Sequence, residues 1–140
     1  MKKLSKDQLK AFNAVMAGKS IFLTGEAGTG KSWVLKKIVR SLRDKRKCVG
    51  VTSTTGVSAL NMELGATTLH AYLGIGLGRG SVDALCCKIS KRAPSIPSDP
   101  KNNFMEQRWK DLHVLIIDEI SMLSPELFDK LNNVAKTIRQ

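Results

Sequence analysis

Cysteine is scarce and unpatterned in this sequence. Cys48, Cys86 and Cys87 are an odd number with no C-x-x-C spacing, which argues against both a disulfide scaffold and a zinc ribbon. Reduced thiols are the expected state. His70 and His113 are scattered, so histidine and cysteine together form no metal-ligand pattern. Acidic residues are also few, 12 against 23 Lys and Arg, which leaves a formal charge of +11. Such an excess favours a polyanionic partner such as nucleic acid and says nothing about sequence specificity. A solvated basic surface kept for solubility is the alternative. Long apolar runs are missing too: no stretch approaches the roughly 20 residues of a spanning helix. Met1-Lys2-Lys3-Leu4 leads into a polar segment with no apolar core of a secretory signal. These absences point to a soluble, intracellular protein with no membrane partner.

What is present is enough for one domain with a real core: 140 residues, 42% of them hydrophobic, with a mean hydropathy of −0.13. The most informative stretch is Gly25-Glu26-Ala27-Gly28-Thr29-Gly30-Lys31-Ser32, which fits G-x-x-x-x-G-K-[ST] and directly follows the apolar run Ile21-Phe22-Leu23. Gly25, Gly28 and Gly30, with Ala27 and Thr29 between them, let the backbone wrap an anion so that N–H groups and the next helix start face phosphate oxygens. Lys31 then reaches the β- and γ-phosphates of ATP, and Ser32 offers its hydroxyl to Mg²⁺, an ion that needs few protein ligands.

The second half of such a site is Val114-Leu115-Ile116-Ile117-Asp118-Glu119. An unbroken apolar run ending in two acids reads as a strand buried on both faces of a parallel sheet, with carboxylates at its C-terminal end. Ligands bind at that edge in open α/β sheets. Asp118 fits as the outer-sphere holder of Mg²⁺, and Glu119 as the group that orients or deprotonates an attacking water, which with Lys31 makes it the catalytic pair. The plain alternative is that both acids are solvated strand-end residues.

Along the chain, Ser5-Lys6-Asp7-Gln8 opens a helix stopped at Gly18. A strand follows near residues 20–24, then the phosphate loop, then a helix over 31–43 with Val34, Leu35, Ile38, Val39 and Leu42 inward and Lys36, Lys37 and Arg40 outward. Trp33 reads as a packing residue. A strand at 48–52, a helix begun by Thr54-Thr55-Gly56 and ended by Gly65, and a short helix over 68–73 come next. Gly74 to Gly80 alternate glycine with other residues, which suits close backbone approach or mobility. The proline-bearing stretch 92–103 reads as a surface excursion, and Pro125 suits the first turn of a last helix. Alternating strands and helices predict an α/β three-layer sandwich around a parallel sheet.

Several segments together resemble the petite integration frequency (PIF) family of superfamily-one DNA helicases, relatives of the RecD-like enzymes. They are Leu4 to Gln8, Leu23 to Ser32, Thr54-Thr55-Gly56-Val57-Ser58-Ala59-Leu60-Asn61, Gly65 to Gly78 with Thr68-Leu69-His70, and Ile116-Ile117-Asp118-Glu119-Ile120-Ser121-Met122-Leu123. They run in the family's order and cover most of the chain outside the proline-bearing excursion. The likeness implies a RecA-like P-loop NTPase domain, the first of the two in such a helicase, over residues 1–140. It implies that Gln8 reads the adenine edge, although Ser5-x-x-Gln8 equally spells a capping box. It places Thr54, Thr55 and Gly56 on the backbone of single-stranded DNA, where one threonine can also cap the helix. His70 and Tyr72 match a second DNA-proximal segment, where they contact phosphate or stack on a base, although His70 equally fits a satisfied interior histidine.

The same likeness implies ATP-driven 5′-to-3′ movement on single-stranded DNA and unwinding of duplexes and forks. Roles in repair, recombination and telomere maintenance, and a nuclear or mitochondrial setting or a viral source, enter only this way. The γ-phosphate-sensing glutamine, the arginine fingers and the second RecA-like domain have no counterpart in these residues, so the piece alone is expected to bind nucleotide and not to unwind. A non-catalytic ATP-dependent DNA-binding or regulatory module stays open. A GTPase is disfavoured because no N-K-x-D segment follows Asp118, and a nucleotide kinase because no acceptor site is evident.

Overall fold

The computed structural model describes residues 4–24, 31–90 and 104–140. The phosphate loop at 25–30 and the excursion at 92–103 lie outside the described residues. The chain divides between Val49 and Gly50 into two compact units.

The first unit holds helices α1 (Lys6–Met16) and α2 (Lys31–Asp44), which pack against one another. Helix α1 begins at a complete capping box on Ser5 and gives way at Ala17 to Gly18, whose φ of +83° ends it where the sequence predicts. Helix α2 buries Val34, Ile38, Val39 and Leu42, a stripe of helical spacing, and exposes Lys37 and Arg40. Lys36 is half-buried, not outward. Trp33 packs under Lys37, whose Nζ lies 5.7 Å from the ring centroid.

Residues 20–24 form no strand, contrary to expectation. Phe22 is 73% exposed, and Ile21 is exposed as well. A strand exists only through a ladder of paired backbone groups, and an apolar run of Ile21-Phe22-Leu23 supplies none by itself.

The second unit is built on strands β1 (Val49–Ser53), β2 (Thr67–Thr68) and β3 (Val114–Asp118) in the order β2-β1-β3. β2 pairs in parallel with β1, Thr52 opposite Thr67 and Ser53 opposite Thr68. On the other side, Thr52 bonds Ile116 and Thr54 bonds Asp118, so the pairing advances together along both chains and β3 is parallel too. β3 is half-buried at all its positions. The expected burial on both faces is not reached, because β3 is the edge of the described sheet.

Helices α3 (Gly56–Met62), α4 (Leu69–Leu73), α5 (Val82–Ser90), α6 (Phe104–Asp111) and α7 (Pro125–Ile138) complete the unit. Its core joins Leu69, Leu73 and Ile75 to Leu85 and Ile89 of α5, Trp109 of α6, and Leu131, Val134 and Ile138 of α7. Trp109 Nε1 donates to the Leu73 carbonyl at 2.9 Å, which satisfies its one polar atom inside the core. Ser124 caps α7 through the Leu127 N–H, with Pro125 in the first turn as predicted. The glycine loop is used for close approach: Leu127 lies where a Gly78 side chain would go, and Lys130 Nζ donates to the Gly78 carbonyl at 3.3 Å.

Gly50, the first of the buried residues of β1, lies against the Tyr72 ring; a Cβ built on it would meet Cε1 and Cζ at 2.7 Å. Gly50→Ala is therefore expected to destabilise the protein by about 1–3 kcal/mol through overpacking. Thermal unfolding checks this, since an open site would instead gain slightly from the alanine.

Candidate functional site

The C-terminal ends of β1 and β3 meet through a run of hydroxyl side chains. Thr52 Oγ1 donates to the Ile116 carbonyl at 2.6 Å and Ser53 Oγ to the Asp118 carbonyl at 3.4 Å. One residue on, the Thr54 N–H donates to the Asp118 carbonyl at 3.3 Å and Thr54 Oγ1 to the Glu119 carbonyl at 3.0 Å. Thr52 and Ser53 are fully buried, so their hydroxyls need partners, and the β3 backbone supplies them.

Those bonds hold an unusual backbone. Glu119 adopts φ 58°, ψ 43°, the left-handed region, without being glycine. That conformation costs about 1–2 kcal/mol in an ordinary residue. It ends β3 at Asp118 and turns the chain into a single 3-10 turn, Ile120–Met122, in which the Met122 N–H also donates to the Glu119 carbonyl at 3.0 Å. Asp118 is half-buried and Glu119 is exposed.

Thr55 sits beside Thr54 and caps α3, its Oγ1 accepting from the Ser58 N–H at 3.2 Å. Gly56 follows, and a side chain there would meet open space. Thr54, Thr55 and Gly56 thus share one sheet edge with Asp118 and Glu119. His70 lies half-buried in α4, which Thr68 caps through the Ala71 N–H. Tyr72 is engaged on both counts that matter for stacking: Gly50 lies against its ring, and the Arg108 guanidinium covers it 4.4 Å from the centroid. Arg108 also donates to the Tyr72 carbonyl at 2.9 Å and stands 4.7 Å from the Phe104 ring. In this arrangement Tyr72 is a packing residue, and a base could stack on that face only after Arg108 moved.

In the first unit, Lys31 and Ser32 form the exposed first turn of α2. Gly25, Ala27, Gly28, Thr29 and Gly30 lie outside the described residues. Gln8 completes the capping box: its N–H donates to Ser5 Oγ at 3.3 Å and its Oε1 accepts from the Ser5 N–H at 2.9 Å. The helix-capping use of Gln8 is therefore realised. Among the thiols, burial pushes Cys86 above its ordinary value, and the Asp83 charge and Cys87 add to this while a bond with Thr137 opposes it. That environment is opposite to what a nucleophilic thiolate needs.

Sequence reasoning missed Thr52, Ser53 and Arg108. The run Thr52-Ser53-Thr54-Thr55 carries the signal for the first two, since a buried strand seldom has consecutive hydroxyls unless they bond a neighbour. Arg108 carries no such signal, because its partner Tyr72 is distant in sequence.

Comparison with known proteins decides the family. The sequence model of the PIF1-like helicases matches residues 3–140. The chain belongs to the PIF1-like helicase family. It is 44% identical to the ATP-dependent DNA helicase PIF1 of Candida albicans over 98% of its own length and 14% of that protein's. Against the human ATP-dependent DNA helicase PIF1 the identity is 43%, over 98% of this chain and 19% of the other. An uncharacterized protein of Invertebrate iridescent virus 6 is 43% identical over 98% of the chain and 24% of its own length. The crystal structure of the Candida albicans Pif1 helicase superposes with a TM-score of 0.84 at 45% identity, covering 99% of this chain and 29% of that one. The α/β fold is thus the RecA-like one of this family, and the chain spans under a third of the length of these PIF1-like relatives.

Charge in this PIF1-like chain is uneven. Residues 1–49 carry 13 Lys and Arg against 3 Asp and Glu, whereas residues 50–140 carry 10 against 9. Nearly all of the net charge thus belongs to the first unit. No helix among the described residues is long and apolar enough to cross a membrane.

The Arg108 contacts yield a direct prediction. Arg108→Lys keeps the charge and loses the planar stacking and fork geometry, so it should lower stability by about 1–2 kcal/mol. Denaturant unfolding measures it; a variant as stable as wild type would mean that charge alone matters there.

Proposed function

We propose that the chain is the ATP-binding motor domain of an ATP-dependent DNA helicase. The observation that carries the reading is the joint at the sheet edge, where Thr54, in the segment matched to DNA contact, bonds the backbone of Asp118 and Glu119, the acids matched to nucleotide chemistry. A motor needs its nucleotide site and its track mechanically linked, and this edge supplies a link of two hydrogen bonds.

The residues present fit Mg²⁺-ATP by the chemistry of their donors. Lys31 would neutralise charge on the β- and γ-phosphates, and the Ser32 hydroxyl and, through water, the Asp118 carboxylate would hold the metal, an ion that needs few protein ligands. Mg²⁺ held there would supply charge neutralisation on the phosphates. The Glu119 carboxylate orients the attacking water and accepts its proton as the water oxygen bonds the γ-phosphorus. The bond from that phosphorus to the β–γ bridging oxygen breaks, giving ADP and phosphate. Thr54, Thr55, Gly56 and His70 take the backbone of single-stranded DNA, and Tyr72 packs between Gly50 and Arg108. Movement 5′ to 3′, the unwinding of duplex and fork DNA, and work with a second RecA-like domain follow from the family likeness. The two curated PIF1 relatives above are named ATP-dependent DNA helicases.

Lys31→Ala should abolish nucleotide binding, measured by fluorescent-nucleotide titration. Glu119→Gln should preserve binding and lower turnover by about 10²–10⁴-fold. Equal turnover in wild type and the Glu119 variant rejects the assigned base.

Gln8 is the adenine reader in this reading, and one substitution separates that role from the helix cap. Gln8→Glu keeps a capping box while removing the amide donor. Unfolding temperature should stay the same while ATP affinity and the preference for ATP over GTP fall. Unchanged nucleotide affinity assigns Gln8 to the cap alone.

A further inference from the structure

The joint that supports the proposed function holds a strained residue. Glu119 is one of three non-glycine residues with positive φ among those described, the others being Arg46 and Glu63. Glu63 closes a helix, as α3's C-cap, and Arg46 follows the last turn of α2, sites where a left-handed residue is ordinary. Glu119 instead interrupts a strand end, directly after Asp118. Strain at such a position persists only when its surroundings over-determine it.

The surroundings here are few and identifiable. The Glu119 carbonyl accepts from the Met122 N–H and from Thr54 Oγ1, each at 3.0 Å. The first bond closes the following turn and is local. The second comes from Thr54, directly after the end of β1 and 65 positions away, and ties the Glu119 carbonyl to the neighbouring stretch of chain. The Thr54 N–H adds a bond to the preceding carbonyl, that of Asp118. Thr54 therefore grips both peptides that aim the two acids.

We infer that Thr54 is a positioning residue for Glu119: its hydroxyl holds Glu119 in the left-handed conformation and thereby sets the carboxylate that handles the attacking water. This rests on the hydrolytic reading above. It also gives Thr54 a role apart from any phosphate it contacts. The hydroxyl is donated to the Glu119 carbonyl, so a DNA oxygen that competes for that proton, or a shift of Thr54 as DNA seats, changes the hold on Glu119. Occupancy of the track is thus transmitted to the hydrolytic residue through a single side chain.

Thr54→Val keeps the shape and the backbone N–H and removes only the hydroxyl, and Thr54→Ser restores it. ATP turnover of wild type and both variants is measured at saturating ATP with and without single-stranded oligonucleotide, beside fluorescent-nucleotide affinity and Glu119 Cα and Cβ chemical shifts by NMR. The valine variant should bind nucleotide as wild type does and lose roughly ten- to a hundredfold in kcat even without DNA. Its Glu119 shifts should leave the left-handed range, and serine should recover both. A loss confined to the DNA-stimulated rate would make Thr54 a DNA contact only and overturn the inference. Unchanged Glu119 shifts in the valine variant overturn it as well, whether or not the wild-type chain hydrolyses ATP. A wild-type chain without turnover instead removes the hydrolytic reading, and the shifts then decide the positional claim alone.

Discussion

The hydroxyl seam between β1 and β3 is the interaction on which the arrangement of this chain depends. Thr52, Ser53 and Thr54 each donate a side-chain hydroxyl to a carbonyl of the 116–119 segment. A parallel pair aligns its strands by slanted backbone bonds and is slightly less stable per residue than an antiparallel ladder. Side-chain bonds added at successive positions resist slippage, because a shift by one residue would leave two fully buried hydroxyls without acceptors. The same seam ends at Glu119, so register and the conformation of the candidate catalytic residue are fixed together.

The rest of the second unit supports that seam. Leu69, Leu73 and Ile75 enter a core closed by α5, α6 and α7, and Trp109 ties the end of α4 to α6 through the Leu73 carbonyl. Arg139 in turn donates to the carbonyls of Trp109 and Leu112, at 2.7 and 2.8 Å, tying the end of α7 to the chain just before β3. Tyr72 lies between Gly50 of β1 and Arg108 of α6. The segment carrying His70 is thus held to the sheet by packing, while Thr54 is held by hydrogen bonds.

Helices with clear ends are legible in the amino-acid sequence. Ser5 and Gln8, Thr55, Thr68 and Ser124-Pro125 are capping residues whose chemistry is local, and each caps the helix it announces. β3 is legible from its apolar run, but its half-burial is not, since that depends on which strands flank it. Residues 20–24 show the same limit from the other side: an apolar run marks a strand only where a ladder partner exists. Helix α5 is not among the expected elements, although Val82, Leu85, Cys86 and Ile89 stand at helical spacing. Helix α6 has little apolar periodicity and owes its place to Trp109 and Arg108. At the candidate site, the position of the acids at the end of β3 and of Lys31-Ser32 at the start of a helix is legible because those signals are local, whereas the Thr54 bond to Glu119 joins residues far apart in the chain. Gln8 shows how one spacing fits two uses: the cap is formed, and the proposed adenine recognition would need the same amide.

Lys31 and Ser32 and the acids at the end of β3 are proposed to serve one magnesium-bound triphosphate. A crystal structure of the chain grown with Mg²⁺ and a non-hydrolysable ATP analogue measures this directly. The account predicts the γ-phosphate against Lys31, the metal on the Ser32 hydroxyl, and Asp118 bonded to a water of that metal. A nucleotide bound away from Asp118 and Glu119, or with its phosphates far from Lys31, would contradict it.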